Sequence, residues 1–514
     1  MSTVQIQHWK AAEQYRASFD LEAAKREYHV LLSDPDWVLP ASLRLGAIAL
    51  DSGQLQDAVA HALAANGARE PDPVLLEALC RLLLNVGELQ AAIGCVMDPS
   101  VQECTDPAVL LGLGTMMAEQ GLSDYALPLL RRARRFGLET PELNYLIGND
   151  ESYAGNLDVA ERELEACLRA APDHAPAHRA LAKLRRATPG KNHLVRLRAA
   201  ASRLGENHPD APLLHYALFK EMDDLGNVEG AWAALETGMR LRRRQVKYDS
   251  VAEQALFDEL MHVKPAPGPD VDGMPQPLFI VGMPRSGTTL LERILGAHGQ
   301  VADAGELRDF TVQLRWCCNK MGGPHLDVDL ARAARWADLS RLGDRYLAHT
   351  QWHANGHAYY TDKLPTNFLN IGYIANALPQ ARFLHMVREP MDVCFSNLKE
   401  LFADAYPHSY DQREMAVHFR RYQALMAHWH KQFPGRILDV HYDALVTEPE
   451  TTARAVLKHC NLAWTPDVLE PESRGGTVAT ASSAQVREPI HTRFLGQWRR
   501  YESQLQPLQE ALGS

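Results

Sequence analysis

The sequence predicts an all-α solenoid followed by an α/β domain built on a parallel sheet. Three observations lead there. Small residues recur every 34 positions through the first part of the chain. Past residue 275, short apolar runs that read as strands alternate with helical patterns, which implies a parallel sheet covered by helices on both faces. The chain has 514 residues, more than one compact core accommodates. The expected division is a helical repeat region over 1–250, a linker over 251–274 and the α/β domain over 275–514.

The repeat rests on three positions held in phase. Gly53, Gly87, Gly121 and Gly155 stand 34 residues apart; Ala58, Ala92, Ala126 and Ala160 follow each by five, and Gly46, Cys80, Gly114 and Gly148 precede each by seven. One helix pair cannot bury its apolar face alone, and small residues at a helix crossing let two backbones approach. The period and these positions resemble the tetratricopeptide (TPR) repeat, read over roughly 5–245. Gly226 with Ala231 marks a further copy, after an irregularity near Pro189-Gly190. Ala24 is in phase as well, although Phe19 holds the glycine position. The inner surface of such an arm either binds a peptide or partner, or the arm serves structure and dimerisation. The basic run 241–247 reads as a solvated helix end, and Lys264-Pro265-Ala266-Pro267-Gly268-Pro269 as an extended linker.

The α/β part opens on Leu278-Phe279-Ile280-Val281, a buried strand, which runs through Gly282-Met283-Pro284-Arg285-Ser286-Gly287-Thr288-Thr289 into a helical pattern. A strand that ends in such a loop at a helix N-terminus forms an anion site: the first N–H groups have no partner in the helix, and the dipole favours negative charge. Gly282 to Gly287 keeps the G-x-x-x-x-G frame of a P-loop, but Thr288 stands where a nucleotide triphosphatase has lysine. That argues against an ATPase, a GTPase or a kinase. Arg285 supplies the charge instead, and its planar guanidinium suits phosphate or sulfonate oxygens. Ser286, Thr288 and Thr289 add hydroxyls, and Gly287 admits a close approach.

Four further positions stand at element ends. Gly305 permits a turn before Glu306, near a helix start. The run Ala358–Lys363 reads as a strand with Lys363 at its carboxyl end, followed by Thr366. Ala381–Val387 is a third strand, after which Arg388 precedes a Pro390-started helix carrying Ser396. A fourth, Arg436–Tyr442, ends on Tyr442, which suits either sheet packing or a ligand contact. Open α/β sheets place ligands at these carboxyl ends.

In this order and spacing, residues 275–500 resemble the PAPS-dependent sulfotransferases, and within them the tyrosylprotein sulfotransferase branch. The resemblance implies PAPS as co-substrate without a metal, and a hydroxyl-bearing acceptor that becomes a sulfate ester with release of PAP. It implies that loop 284–289 holds the 5′-phosphosulfate, that Arg388 and Ser396 hold the 3′-phosphate, and that Tyr442 contacts the nucleotide. Glu306 is then the base and Lys363 the transition-state cation. Arg285 and Ser482 assist at the sulfonate, with Ser483 adjacent. The segment 482–489, with Gln485 and Arg487, is expected to close over the nucleotide; Gly475-Gly476 marks either its hinge or a plain loop. Arg308 and Thr366 are expected on the acceptor side. Two positions depart from the branch: Val312 and Glu400 occupy places where it has basic residues, although Lys399 is next to Glu400. The acceptor is a tyrosine of a peptide or protein brought by the TPR arm, or else a small molecule, glycan or lipid. A TPR scaffold with an inactive nucleotide-binding domain is the alternative from another class.

Composition narrows the rest. A net charge of -11 argues against general nucleic-acid binding. No apolar run reaches the length of a membrane span and the first residues lack a signal core, so the expectation is a cytoplasmic protein without membrane contact, a homodimer being open. Eight cysteines contain no C-x-x-C, and free thiols are expected. His353 and His357 stand four apart, as on one helical face, but without a third ligand carry no metal site.

Overall fold

The computed structural model describes residues 3–266, 275–402, 405–473 and 488–513. Its packing divides the chain into two compact units. One comprises 1–139, 309–324 and 333–349; the other comprises 140–308, 325–332 and 350–514.

The first unit is helical. Its repeat pairs are Thr3–Ala17 with Leu21–Leu31, Pro35–Asp51 with Leu55–Gly67, Pro73–Asn85 with Leu89–Val96, and Pro107–Glu119 with Ser123–Arg135. The helix starts follow a local rule. Asp34, Asp72 and Asp106 each accept a backbone N–H from the first turn and are followed by proline. The phased glycines make the turns within pairs: Gly53, Gly87 and Gly121 have φ of 72°, 82° and 73°. The phased alanines, Ala58, Ala92 and Ala126, are fully buried. Segment 309–349 was expected in the α/β domain, yet most of it packs here. Gln56 donates its backbone N–H to Asn319 Oδ1 (3.0 Å) and its side-chain amide to the Trp316 carbonyl (2.9 Å). Val312 closes over Gly87, so this departure from the family pattern is a packing residue.

Phe19 takes the same turn as the glycines, with φ of 62°, and is 87% exposed. A left-handed conformation costs a side-chain-bearing residue roughly 1–2 kcal/mol. Phe19→Gly is therefore expected to stabilise the first unit by about 1 kcal/mol. Thermal unfolding checks this; an unchanged or lower midpoint would show that the strain is relieved elsewhere.

The second unit combines further repeat helices with the sheet. Pro141–Ala154 pairs with Leu157–Ala170 and Ala211–Asp224 with Val228–Gln245, while Ala175–Leu184 and Leu194–Leu204 both pack on Ala211–Asp224. The irregularity near Pro189-Gly190 is a tight turn between Thr188 and Lys191, bonded in both directions at 2.9 and 3.0 Å. These helices lie on the α/β elements: Tyr216 hydroxyl donates to the Leu398 carbonyl (3.2 Å), Arg243 pairs with Glu414 (2.7 Å), and Tyr501 hydroxyl donates to Asp223 (2.6 Å). Helix Ser250–Leu260 occupies the start of the expected linker, whose residues 267–274 lie outside the described residues.

The sheet has five strands: β1 (Gln276–Gly282), β2 (Val301–Ala302), β3 (Tyr359–Asp362), β4 (Arg382–Val387) and β5 (Ile437–His441). All pairings are parallel and the order is β2-β3-β1-β4-β5. Four strands are as expected; β2 was missed because two residues leave no pattern to read. Leu278, Ile280, Leu384, Met386 and Val440 form one buried face with Leu291, Leu295 and Leu457 from helices. Phe279 and Phe383 stack on the opposite face, ring centroids 5.5 Å apart. The order places β1 at the centre, so its loop opens between the ends of β3 and β4. None of the eight cysteines is in a disulfide.

Candidate functional site

The loop after β1 is built from a strained arginine and a close-packed glycine. Arg285 is in the left-handed region, φ 66°, which a side-chain-bearing residue adopts only when its surroundings impose it. Asn397 fixes the loop from below by donating to the Pro284 carbonyl at 2.8 Å. At Gly287 a Cβ would fall 2.6 Å from the Tyr442 ring, so only glycine lets the loop lie on that ring. Helix Thr288–Gly296 follows, with Ser286, Thr288 and Thr289 buried at its start. Burial lowers the Arg285 pKa, with Arg388 adding to the effect and Glu400 opposing it.

Arg388 follows β4 and crosses to this loop. It donates to the Arg285 carbonyl (3.0 Å) and to the Phe494 carbonyl (2.5 Å), and its guanidinium lies 4.6 Å from the Tyr442 ring centroid. The neighbouring Glu389 is spent on a helix start instead, accepting from the Met391 and Asp392 N–H groups. Arg285, Gly287, Thr289, Arg388, Ser396 and Tyr442 line one cavity open to solvent. Its far wall is segment 488–497, with His491, Phe494 and Gln497. Lys399, which sequence reasoning did not assign, also lines it and donates to Gln497 at 2.7 Å. Two polar atoms here, Arg388 Nε and Ser286 Oγ, are buried without a partner among the described residues.

A second group stands at the end of β3. Lys363 is fully buried, donates to Glu306 Oε1 at 2.7 Å, and lies 3.9 Å from Glu292 Oε2. Burial opposes its charge, but Glu306 and Glu292 outweigh burial and hold its pKa above the ordinary lysine value. Glu292 ties the group together, accepting from the Gly305 N–H and the Thr361 hydroxyl, both at 2.9 Å. Burial pushes its own pKa up, against Lys363. The Glu306 side chain is 39% exposed. Tyr406, another residue the sequence did not single out, hydrogen-bonds Thr366 and senses Glu306 and Arg308, so all three share one neighbourhood.

Lys363 follows β3 and Arg388 follows β4, the two strands that flank β1, so they stand on either side of the β1 loop. Ser482, Ser483, Gln485, Arg487 and Gly475-Gly476 lie outside the described residues. His353 and His357 do not share a helical face: the short helix Gln351–Ala354 ends there, and Asn355 and Gly356 take positive φ. Two other groups with metal-ligand chemistry, Glu253–His408–His418 and His385–His430–Asp439, already hold one another by hydrogen bonds or ion pairs. No helix of the described residues is long and apolar enough to cross a membrane.

Residues 277–466 match the model of the "Sulfotransferase family". An uncharacterized protein of Aquifex aeolicus (strain VF5) is 32% identical over 317 residues, which cover 58% of this chain and 41% of that protein. Protein-tyrosine sulfotransferase 1 of Danio rerio is 26% identical over 230 residues, 43% of this chain and 65% of that one. The match thus spans less than two thirds of the length of either relative. Among solved structures, the sulfotransferase domain of the Synechococcus PCC 7002 olefin synthase aligns at 19% identity and TM-score 0.33, over 46% of this chain and 91% of that one. The matched residues include the β1 loop, Arg388, Ser396 and Tyr442 of the cavity and the Lys363–Glu306 pair.

Proposed function

We propose that the chain moves a sulfuryl group from PAPS to an acceptor hydroxyl, releasing PAP and a sulfate ester. One observation supports this reading: a cavity lined by Arg285 and Arg388 and a buried lysine–carboxylate pair stand at the carboxyl edge of one parallel sheet. A nucleotide with phosphate at two ends suits two separate arginines. The unpartnered Arg388 Nε and Ser286 Oγ are donors of the kind its oxygens would engage. The donor supplies the sulfuryl group and a phosphate that leaves with the bridging-bond electrons. Arg285, Ser286, Thr288 and Thr289 hold the phosphosulfate, and Arg388 with Ser396 the 3′-phosphate, against Tyr442. Glu306 takes the acceptor proton as the new O–S bond forms. Lys363 stabilises charge on the bridging oxygen, with Ser482 at the sulfonate. The names of the relatives favour a tyrosine acceptor, on the side of Arg308, Thr366 and Tyr406.

Calorimetric binding of PAP tests the nucleotide assignment. Arg388→Ala is expected to weaken it by about 10–100-fold, since a charge-assisted contact contributes roughly 1.5–3 kcal/mol. Equal affinity in variant and parent would remove Arg388 from the nucleotide site.

A pH effect follows from Lys399. Burial lowers its pKa to about 8, helped by Arg285 and Arg388 and opposed by Asp223 and Asp392. Lysine carries its charge below its pKa, so the attraction for PAP should fade as pH rises through about 8. Near that pH, binding should take up a proton, visible as a buffer-dependent heat of binding. Affinity and heat that stay flat across that range would exclude Lys399 as a contributor.

A further inference from the structure

Away from the cavity, three side chains with metal-ligand chemistry meet at one carboxylate oxygen. His385 on β4 and Asp439 on β5 are register partners in the parallel sheet, and helix Gln412–Gln432 brings His430 to them from its last turn. His385 Nδ1 lies 2.6 Å and His430 Nε2 2.8 Å from Asp439 Oδ1, and the ligand atoms of the three residues all lie within 4.8 Å of one another. The two imidazole planes are inclined by 59°, so the rings approach the oxygen from different directions. The Tyr422 hydroxyl bonds His385 Nε2, which fixes that ring and leaves Nδ1 facing the carboxylate. His385 and Tyr422 are buried, while the side chains of His430 and Asp439 are 37% and 41% exposed. The group is therefore held from behind and open to solvent in front. All four residues belong to one compact unit.

We propose that His385, His430 and Asp439 form a binding site for a divalent transition-metal ion of the zinc type, with solvent as its fourth ligand. Two imidazoles and one carboxylate are a donor set that zinc takes in tetrahedral geometry, at about 2.0–2.2 Å from each atom. Donors around such an ion stand roughly 3.4 Å apart, so the half-exposed Asp439 need withdraw its oxygen by less than about 1 Å to seat it. The ion then replaces the ring protons that the nitrogens share with the carboxylate oxygen. The Tyr422 contact is of the kind that a metal-binding histidine ordinarily makes through its second nitrogen. Two neighbouring strands and a helix present the ligands, a frame that holds them more closely than loops would. The other cluster of this composition, Glu253–His408–His418, lacks these properties. Its histidine rings are stacked 3.5 Å apart and 10° from parallel, so their lone pairs run side by side and do not converge. Its carboxylate is also held by the Arg421 guanidinium at 2.5 Å, a cation that repels a metal ion. The ion pairs of Asp439 are those with the two histidines. The proposed ion takes no part in sulfuryl transfer, and the inference does not depend on that reaction. It clamps β4 and β5 to the helix, three residues before Arg388.

The test uses the full chain, stripped of metal by a chelator that is then dialysed away, with zinc chloride as the probe. Calorimetry is expected to show one saturable zinc ion per chain. Zinc at about 100 times its dissociation constant should raise the melting temperature by a few degrees. Magnesium chloride, whose ion prefers oxygen ligands, should do neither. Cobalt(II) chloride should give the strong visible absorption of a four-coordinate ion. His430→Ala removes an exposed ligand and should leave the metal-free melting temperature within a few degrees of the parent. Its zinc affinity should fall by at least the roughly 10–100-fold that loss of an outer contact alone costs, and the cobalt absorption should disappear. Asp439→Asn should behave in the same way. Tyr422→Phe keeps all three ligands and frees the His385 ring, so its affinity should fall by about 10–100-fold with one ion still bound. Absence of a saturable ion in the parent would overturn the proposal. So would one-ion binding that His430→Ala retains at the parent's affinity, because the ion would then sit at other histidines. Should Asp439→Asn fail to fold, the exposed His430→Ala decides alone.

Discussion

Replacing Lys363 by methionine is expected to remove transfer almost entirely. The side chain is fully buried, charged, and held between Glu306 and Glu292. In the proposed reaction its proton faces the oxygen on which charge grows as the sulfuryl group departs. Loss of one such donor from a water-poor site typically costs about 3 kcal/mol, a 100–1,000-fold fall in kcat. A second effect follows from Glu292. Its pKa is already raised by burial and is lowered by Lys363, so the variant drives that carboxyl further toward its protonated form. The melting temperature should drop as well, because a buried carboxylate without its cation is destabilising. PAP affinity is the control, since Lys363 does not line the nucleotide cavity. Full activity in a folded Lys363→Met protein would remove this residue from the mechanism.

Glu306→Gln is expected to separate binding from chemistry. The amide keeps the shape of the side chain and loses its capacity to take a proton. General-base catalysis contributes roughly 10²–10⁴ in rate, and the loss should fall in that range. Binding of PAP should change little, because Glu306 stands at the end of β3 with Lys363 and not in the wall of the cavity. The charge of Lys363 is then supported by Glu292 alone, so the variant should remain folded. Unchanged turnover would show that another group accepts the proton. A large fall in PAP affinity would show that Glu306 belongs to the nucleotide site.

Much of this was legible in the chain because local physics leaves local marks. The 34-residue phase of Gly53, Gly87 and Gly121 reflects a left-handed turn, and the buried alanines that follow reflect a close helix crossing. Lys363 and Arg388 stand directly after strands and Arg285 in the loop that follows one, and in a parallel sheet those ends lie on one edge. What escaped was long-range or too short to pattern. Glu400 meets Arg179 and Lys183 across 221 and 217 residues, and no local signal connects them. Tyr406 reaches Thr366 and Glu306 from a segment with no periodic pattern. Val312 reads as a missing base until Gly87 is found beneath it. The aspartate–proline helix starts at Asp34, Asp72 and Asp106 are a signal that sequence reasoning could have used.

The most direct measurement is incubation of the full chain with radiolabelled PAPS and a diverse set of tyrosyl peptides, small hydroxylated molecules and glycans. The account predicts label in a sulfate ester on at least one acceptor, with an equal amount of PAP formed. Tight binding of PAP without any label transferred, and without any PAP released from PAPS, would contradict it.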